Sequence, residues 1–251
     1  MLEVTELGHT YGAGTRAHVA IRAVSFHVDA GEIVCVVGPS GCGKSTLLKA
    51  IAGLHRPTRG DIQLKGARIT GVPGELAVVF QDYSRSLFPW LNVTGNVEFP
   101  LRGGPLSKAE RRERAREALT WVGLDGAGRK YPWQLSGGMQ QRVSIARALA
   151  YRPALMLMDE PFASVDAQTR GELEDLVLRV RAEHDMTILL VTHDIDEAVY
   201  LADRVLVLSD APTTVVDTIK VDLPRDRDQI STRASDEFVR LRSEVARLLR
   251  H

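Results

Sequence analysis

A chain of 251 residues, 44% hydrophobic and 25% charged, has the composition of a globular protein long enough to bury a full core. Its 32 basic and 32 acidic residues cancel, which argues against a nucleic-acid partner and against a polybasic membrane anchor. The two cysteines, Cys35 in an apolar run and Cys42 in a glycine loop, fit neither a disulfide framework nor a zinc spacing, so a reducing cytosol is expected.

Met1 to Tyr11 has neither the basic region nor the apolar stretch of a signal peptide. Short apolar, β-rich runs then recur at Ile33 to Val37, Leu76 to Phe80, Leu155 to Met158, Ile188 to Val191 and Val205 to Leu208. All fall far short of the roughly 20 residues that cross a bilayer as a helix, so the chain is not itself a pore. Helical patterns lie between most of them, which predicts a largely parallel sheet covered on both faces. From Asp82 to Tyr151 the strand pattern stops, and an inserted helical lobe is expected. Ser107 and Glu110 have capping-box spacing, and the Arg111 to Arg116 run, interleaved with glutamates, reads as a solvated helix face. Near the end, Ser235 can cap a helix whose Phe238, Leu241, Val245 and Leu248 form a core-facing stripe.

The first apolar run feeds Gly38-Pro39-Ser40-Gly41-Cys42-Gly43-Lys44-Ser45, which matches G-x-x-x-x-G-K-[ST] between a strand and a helix. Glycines let the backbone curl with its N–H groups turned inward, and the helix that follows offers its positive end to the same anion. Lys44 adds a point charge, Ser45 a hydroxyl for a hard cation such as Mg²⁺, and Thr46 completes the phosphate-binding set. Cys42 needs no catalytic role, and alkylation blocked by nucleotide is the test it suggests.

The run Leu155 to Met158 ends in Asp159 and Glu160, at the carboxyl edge of the sheet, where ligands of α/β proteins bind. Asp159 suits a metal ion. Glu160 suits a general base, because successive strand residues point to opposite sides and only one can face the water. His193 closes the run Ile188 to Val191 at the same edge and can donate to a phosphate.

Leu135-Ser136-Gly137-Gly138-Met139-Gln140-Gln141-Arg142 resembles the LSGGQ signature of ABC ATPases, with Met139 where many members have glutamine and Gln140 next. Ser136 can cap the helix that follows, and the glycines let its N–H groups approach a phosphate. The resemblance runs from Tyr11 to Leu208. It implies a P-loop NTPase (RecA-like) α/β core with an N-terminal antiparallel β region and an inserted helical subdomain. The core would be 1–82 and 151–230, the signature subdomain 83–150, and the C-terminal helix 231–251.

The resemblance also implies ATP and Mg²⁺ as cofactors, an adenine-stacking role for Tyr11, a metal- and water-sensing role for Gln81, and a D-loop at Ser164-Val165-Asp166. A surface turn tyrosine is the alternative for Tyr11. It further implies two copies of the chain sharing two ATP molecules, each held between the phosphate loop of one and Ser136, Gly137, Gly138 and Gln140 of the other. Transmembrane permease subunits, an extracytoplasmic substrate-binding protein acting through them, and a place at the cytoplasmic face of the membrane follow from the same resemblance.

Residues 81–91, Tyr131 to Gln134 and Phe162 to Arg170 look like the nitrate, sulfonate and taurine importer branch. The family groove for a permease helix would use Leu87, Phe88, Trp90 and Leu91, although Leu87 and Leu91 fit the core of the helical lobe equally well. The tail from Val215 is too short for the regulatory domain of some importer ATPases. A DNA-repair ATPase of the superfamily would need a long coiled coil between Ser45 and Ser136, and none is present. A translation factor would fuse two such domains through a basic linker.

Overall fold

The computed structural model describes residues 1–12, 14, 17–82 and 86–250. Ten strands form one sheet in the order β5-β4-β1-β2-β10-β9-β3-β8-β7-β6. Its parallel part comprises β3 (Ile33–Val37), β6 (Leu76–Val79), β7 (Leu155–Asp159), β8 (Thr187–Val191) and β9 (Arg204–Leu208). Every residue of β3 and β8 is buried, as strands covered on both faces must be. The alternation is visible in what they touch. Cys35 and Val37 join a core with the larger helices, whereas Val34 and Val36 join one with Leu47, Leu48, Leu2 and Val4.

β1 (Leu2–Tyr11), β2 (His18–Val28), β4 (Arg59–Leu64) and β5 (Ala67–Arg68) pair antiparallel. β10 (Thr213–Lys220) runs antiparallel to β9 and meets β2 in parallel at Thr213 and Thr214, joining the two parts. This strand lies beyond the last apolar run recognised in the sequence. Its residues are mostly exposed or half-buried, so it carries no hydrophobic run.

Among the described residues the expected lobe holds the α-helices α2 (Val93–Glu98), α3 (Lys108–Trp121) and α4 (Gly137–Ala150); α1 (Lys44–Ile51) precedes them. The capping box on α3 is present, with Ser107 Oγ accepting from Glu110 N at 3.3 Å and Glu110 Oε2 from Ser107 N at 2.7 Å. Later come α5 (Ala167–His184), α6 (Ile195–Leu201) and α7 (Asp236–Leu248). Ser235 caps α7, whose Phe238, Leu241 and Val245 are buried, with Leu248 packed at the edge of the core.

The apolar stretch after Gln81 divides. Leu87 is buried in the lobe core, which removes it from any partner surface, and Leu91 is half-buried. Trp90 is 70% exposed.

Candidate functional site

The phosphate loop turns where glycine alone is unstrained. Gly41 has φ 78° and Gly43 φ 105°, and Gly43 is the N-cap of α1. At Gly38 the reason is space: a Cβ there would stand 2.8 Å from Cys42 Sγ. Ser40, Gly41 and Ser45 are exposed and Pro39 is half-buried. Lys44 is buried and arches back over the loop, donating from Nζ to the carbonyls of Gly38 at 2.7 Å and Pro39 at 3.0 Å. Cys42 points the other way, into the core beneath the sheet, and burial raises its thiol pKa. Nucleotide-blocked alkylation of this thiol, expected from the sequence, therefore has no physical basis, because the sulfur is not presented to the loop's open side.

Ser45 Oγ donates to Asp159 Oδ1 at 3.4 Å, joining the start of α1 to the end of β7. Burial raises the Asp159 pKa, with the Ser45 hydroxyl opposing and the neighbouring Glu160 adding to the rise. Glu160 lies past the strand end, in the left-handed region at φ 43°. The expected reason for its direction, simple strand alternation, is thus corrected: a turn aims the side chain. Its backbone N–H is fixed by Val191 O of β8 at 2.8 Å, so the turn is held from across the sheet. A non-glycine residue in this region carries strain on the order of 1 kcal/mol or more, which the surrounding structure must hold. The carboxylate Oε2 accepts from Gln81 Nε2 at 3.3 Å and lies 3.0 Å from His193 Nδ1. Gln81 and His193, from two other chain segments, thus converge on one oxygen of Glu160.

Tyr11, 40% exposed at the end of β1, places its hydroxyl 3.0 Å from Thr46 Oγ1 on the first turn of α1.

Ser136, Gly137, Gly138 and Gln140 form a separate group. Ser136 is exposed and its Oγ accepts from Met139 N at 3.3 Å, capping α4. Gln140 turns back to donate to Pro132 O at 3.0 Å and Leu135 O at 3.3 Å. A Cβ on Gly138 would meet Thr169 Cγ2 at 2.4 Å, so this glycine also serves close packing within the chain. Asp166, read as a nucleotide contact, caps α5 by accepting from Thr169 N at 3.0 Å and Thr169 Oγ1 at 2.7 Å, which lowers its pKa. Among the described residues no hydrogen bond joins Ser136, Gly138 or Gln140 to the phosphate loop.

A family model described as ABC transporter matches residues 21–163. The nitrate import ATP-binding protein of Synechocystis sp. is 42% identical over 254 residues, covering 99% of this chain and 95% of that protein. The taurine import ATP-binding protein of Chromobacterium violaceum is 46% identical over 234 residues, with 92% and 89% covered. A solved ATP-binding cassette, a dimer in a post-hydrolysis state bound to ADP and phosphate, superimposes with a TM-score of 0.76 at 33% identity, covering 89% of this chain and 100% of that one. The chain belongs to the ABC transporter family. It is an ABC ATPase, hydrolysing ATP to energise transport.

Two buried amides of this ABC ATPase escaped the sequence reading. Gln141, within the signature run, donates to Pro161 O at 2.6 Å and so ties α4 to the turn that follows Glu160. Asn96 in α2 donates to the carbonyls of Phe88, Leu91 and Asn92 at 3.0 to 3.1 Å and accepts from Phe88 N at 2.7 Å. The available signal was polarity at a position where the helix period demands an apolar residue.

Proposed function

We propose that the chain is the motor of an importer for a small anion such as nitrate, a sulfonate or taurine, working as a pair of copies on separate permease subunits. The observation that carries its catalytic part is the convergence of Gln81 and His193 on Glu160, next to the Ser45–Asp159 contact. In this reading Glu160 accepts the proton of the attacking water, His193 contacts the terminal phosphate, and Gln81 orients the water. The phosphate-loop backbone from Gly38 to Gly43, with Lys44 and Thr46, binds the triphosphate, and Tyr11 stacks on adenine.

Ser45, Asp159 and Gln81 offer hard oxygen donors that fit Mg²⁺, which neutralises phosphate charge when bound. Lys44 now satisfies its ammonium on the loop's own carbonyls, so the same charge is available to a phosphate that enters the loop. The core assigned to 1–82 and 151–230 and the signature subdomain at 83–150 are the units that would move against one another, the C-terminal helix at 231–251 staying packed on the core.

A shared site is supported by the separation of the Ser136 group from the phosphate loop within one chain and by the dimeric state of the similar cassette. ATP would favour the closed pair only through its higher affinity for that arrangement. The anion class rests on the nitrate and taurine relatives. For the permease, a cleft of about 360 Å³ lined by Phe88, Phe99, Pro100, Arg147 and Tyr151 offers an apolar seat beside exposed Trp90. In this reading the ATPase works at the cytoplasmic face, with an extracytoplasmic binding protein engaged through the permease.

Mixing Lys44→Ala chains with Ser136→Arg chains tests the shared site. A mixed pair contains one site free of both lesions, so ATPase activity should rise above that of either variant alone. No recovery after subunit exchange would count against two-chain sites. Co-purification of the permease and transport assays with each anion test the cargo.

A further inference from the structure

Three aromatic rings meet beside the phosphate loop. On β1 the side chains of His9 and Tyr11, two residues apart, share a face. His9 is 8% exposed, and its Nδ1 has no hydrogen-bond partner among the described residues. A leucine there would avoid that unpaired polar atom. What the imidazole adds is ring contact: it meets Tyr11 edge-on at 4.5 Å and 78°, and it stacks on His55 at 5.7 Å and 26°. His55 stands at 90° to Tyr11 with centroids 6.1 Å apart.

The position of His55 is itself fixed. It follows α1, where its backbone N–H and that of Leu54 both bond to Lys49 O. Gly53 makes that turn at φ 71°, in a place where a Cβ would collide with Gly71 O. Tyr11 is therefore tied to α1 twice, through its hydroxyl to Thr46 at the start and through imidazole contact at the end.

We propose that His9 and His55 are positioning residues for the nucleotide base, a two-ring brace that fixes the plane of Tyr11 before ATP arrives. The proposal rests on Tyr11 being the base-stacking residue. A ring already held in place loses little rotamer freedom when a base stacks on it, so the brace acts on affinity for the base and not for the phosphates.

Titration calorimetry of the full chain with ATP and with tripolyphosphate separates these contributions. His9→Ala and His55→Ala should each weaken ATP binding about threefold, while tripolyphosphate affinity stays within about twofold. His9→Phe, which keeps a ring, should restore ATP affinity, and neither histidine change should weaken ATP binding further in a Tyr11→Ala background. Should His9→Ala fail to fold, His55→Ala on its half-buried loop carries the test. Full additivity with Tyr11→Ala, or a parallel loss for tripolyphosphate, overturns the brace. Weak ATP binding by Tyr11→Ala beside unchanged binding by both histidine variants also overturns it, leaving base stacking intact. Unchanged ATP binding by Tyr11→Ala removes the stacking role and the brace together.

Discussion

His193 Nδ1 and Glu160 Oε2 stand 3.0 Å apart, although one residue follows β8 and the other follows β7. Gln81, past the end of β6, donates to the same oxygen at 3.3 Å. Three neighbouring parallel strands thus deliver their following residues to a single acceptor, as expected at the carboxyl edge of such a sheet. An amide at position 160 would keep the size and the neighbours but lose the ability to take a proton. Glu160→Gln should therefore bind ATP with near-normal affinity while its turnover falls roughly 10²-fold or more, the scale of general-base catalysis. Phosphate release under single-turnover conditions measures this, and normal release would remove Glu160 from the role of base.

The phosphate loop was legible because its requirements are consecutive: left-handed glycines at 41 and 43, then Lys44 and Ser45 opening a helix. The Ser107–Glu110 cap was legible for the same reason, since both partners lie within one turn. Contacts set across the fold were not. The direction of Glu160 depends on a bond to Val191 of another strand, and strand alternation supplied the right neighbourhood by the wrong route. Leu87 and Trp90 are comparably apolar in the sequence, and only packing puts one in the core and the other in solvent. Strand β10 has no apolar run because much of it remains exposed or half-buried.

Cys42 faces the core at 2% exposure, and burial raises its pKa, so both access and thiolate fraction are low. Alkylation by iodoacetamide should run at least roughly tenfold slower on the folded chain than on the urea-unfolded chain, with little further effect of ATP. Peptide mass spectrometry gives the rate at this site. Rapid labelling of the folded protein that ATP blocks would mean the thiol lies on the open side of the loop.

Asn96 is fully buried and satisfies one N–H and three carbonyls in the segment from Phe88 to Asn92. Asn96→Leu leaves those groups without partners in a site that excludes water. The expected loss is about 3 kcal/mol, or roughly 6–12 °C in Tm for a chain of this size. Thermal unfolding followed by circular dichroism measures it. A shift below about 2 °C would show that the segment finds other partners.

Glu197, on α6 just past the His193 turn, is 4% exposed, and its Oε1 has no hydrogen-bond partner among the described residues. Burial first, then the nearby carboxylates Glu174 and Asp194, push its pKa from 4.5 to about 8, with Thr192 and Arg170 opposing. The folded chain therefore binds this proton more tightly than the unfolded chain. The associated stability is fully present below about pH 4.5 and is lost as pH rises toward about 8. Glu197→Gln removes the titration while keeping the shape. Relative to the parent, the variant should gain about 2 kcal/mol of stability between pH 6 and pH 8, from ~1.4 kcal/mol per pH unit inside the window. Urea denaturation at both pH values tests this, and an equal difference at the two would show that Glu197 does not carry the proton.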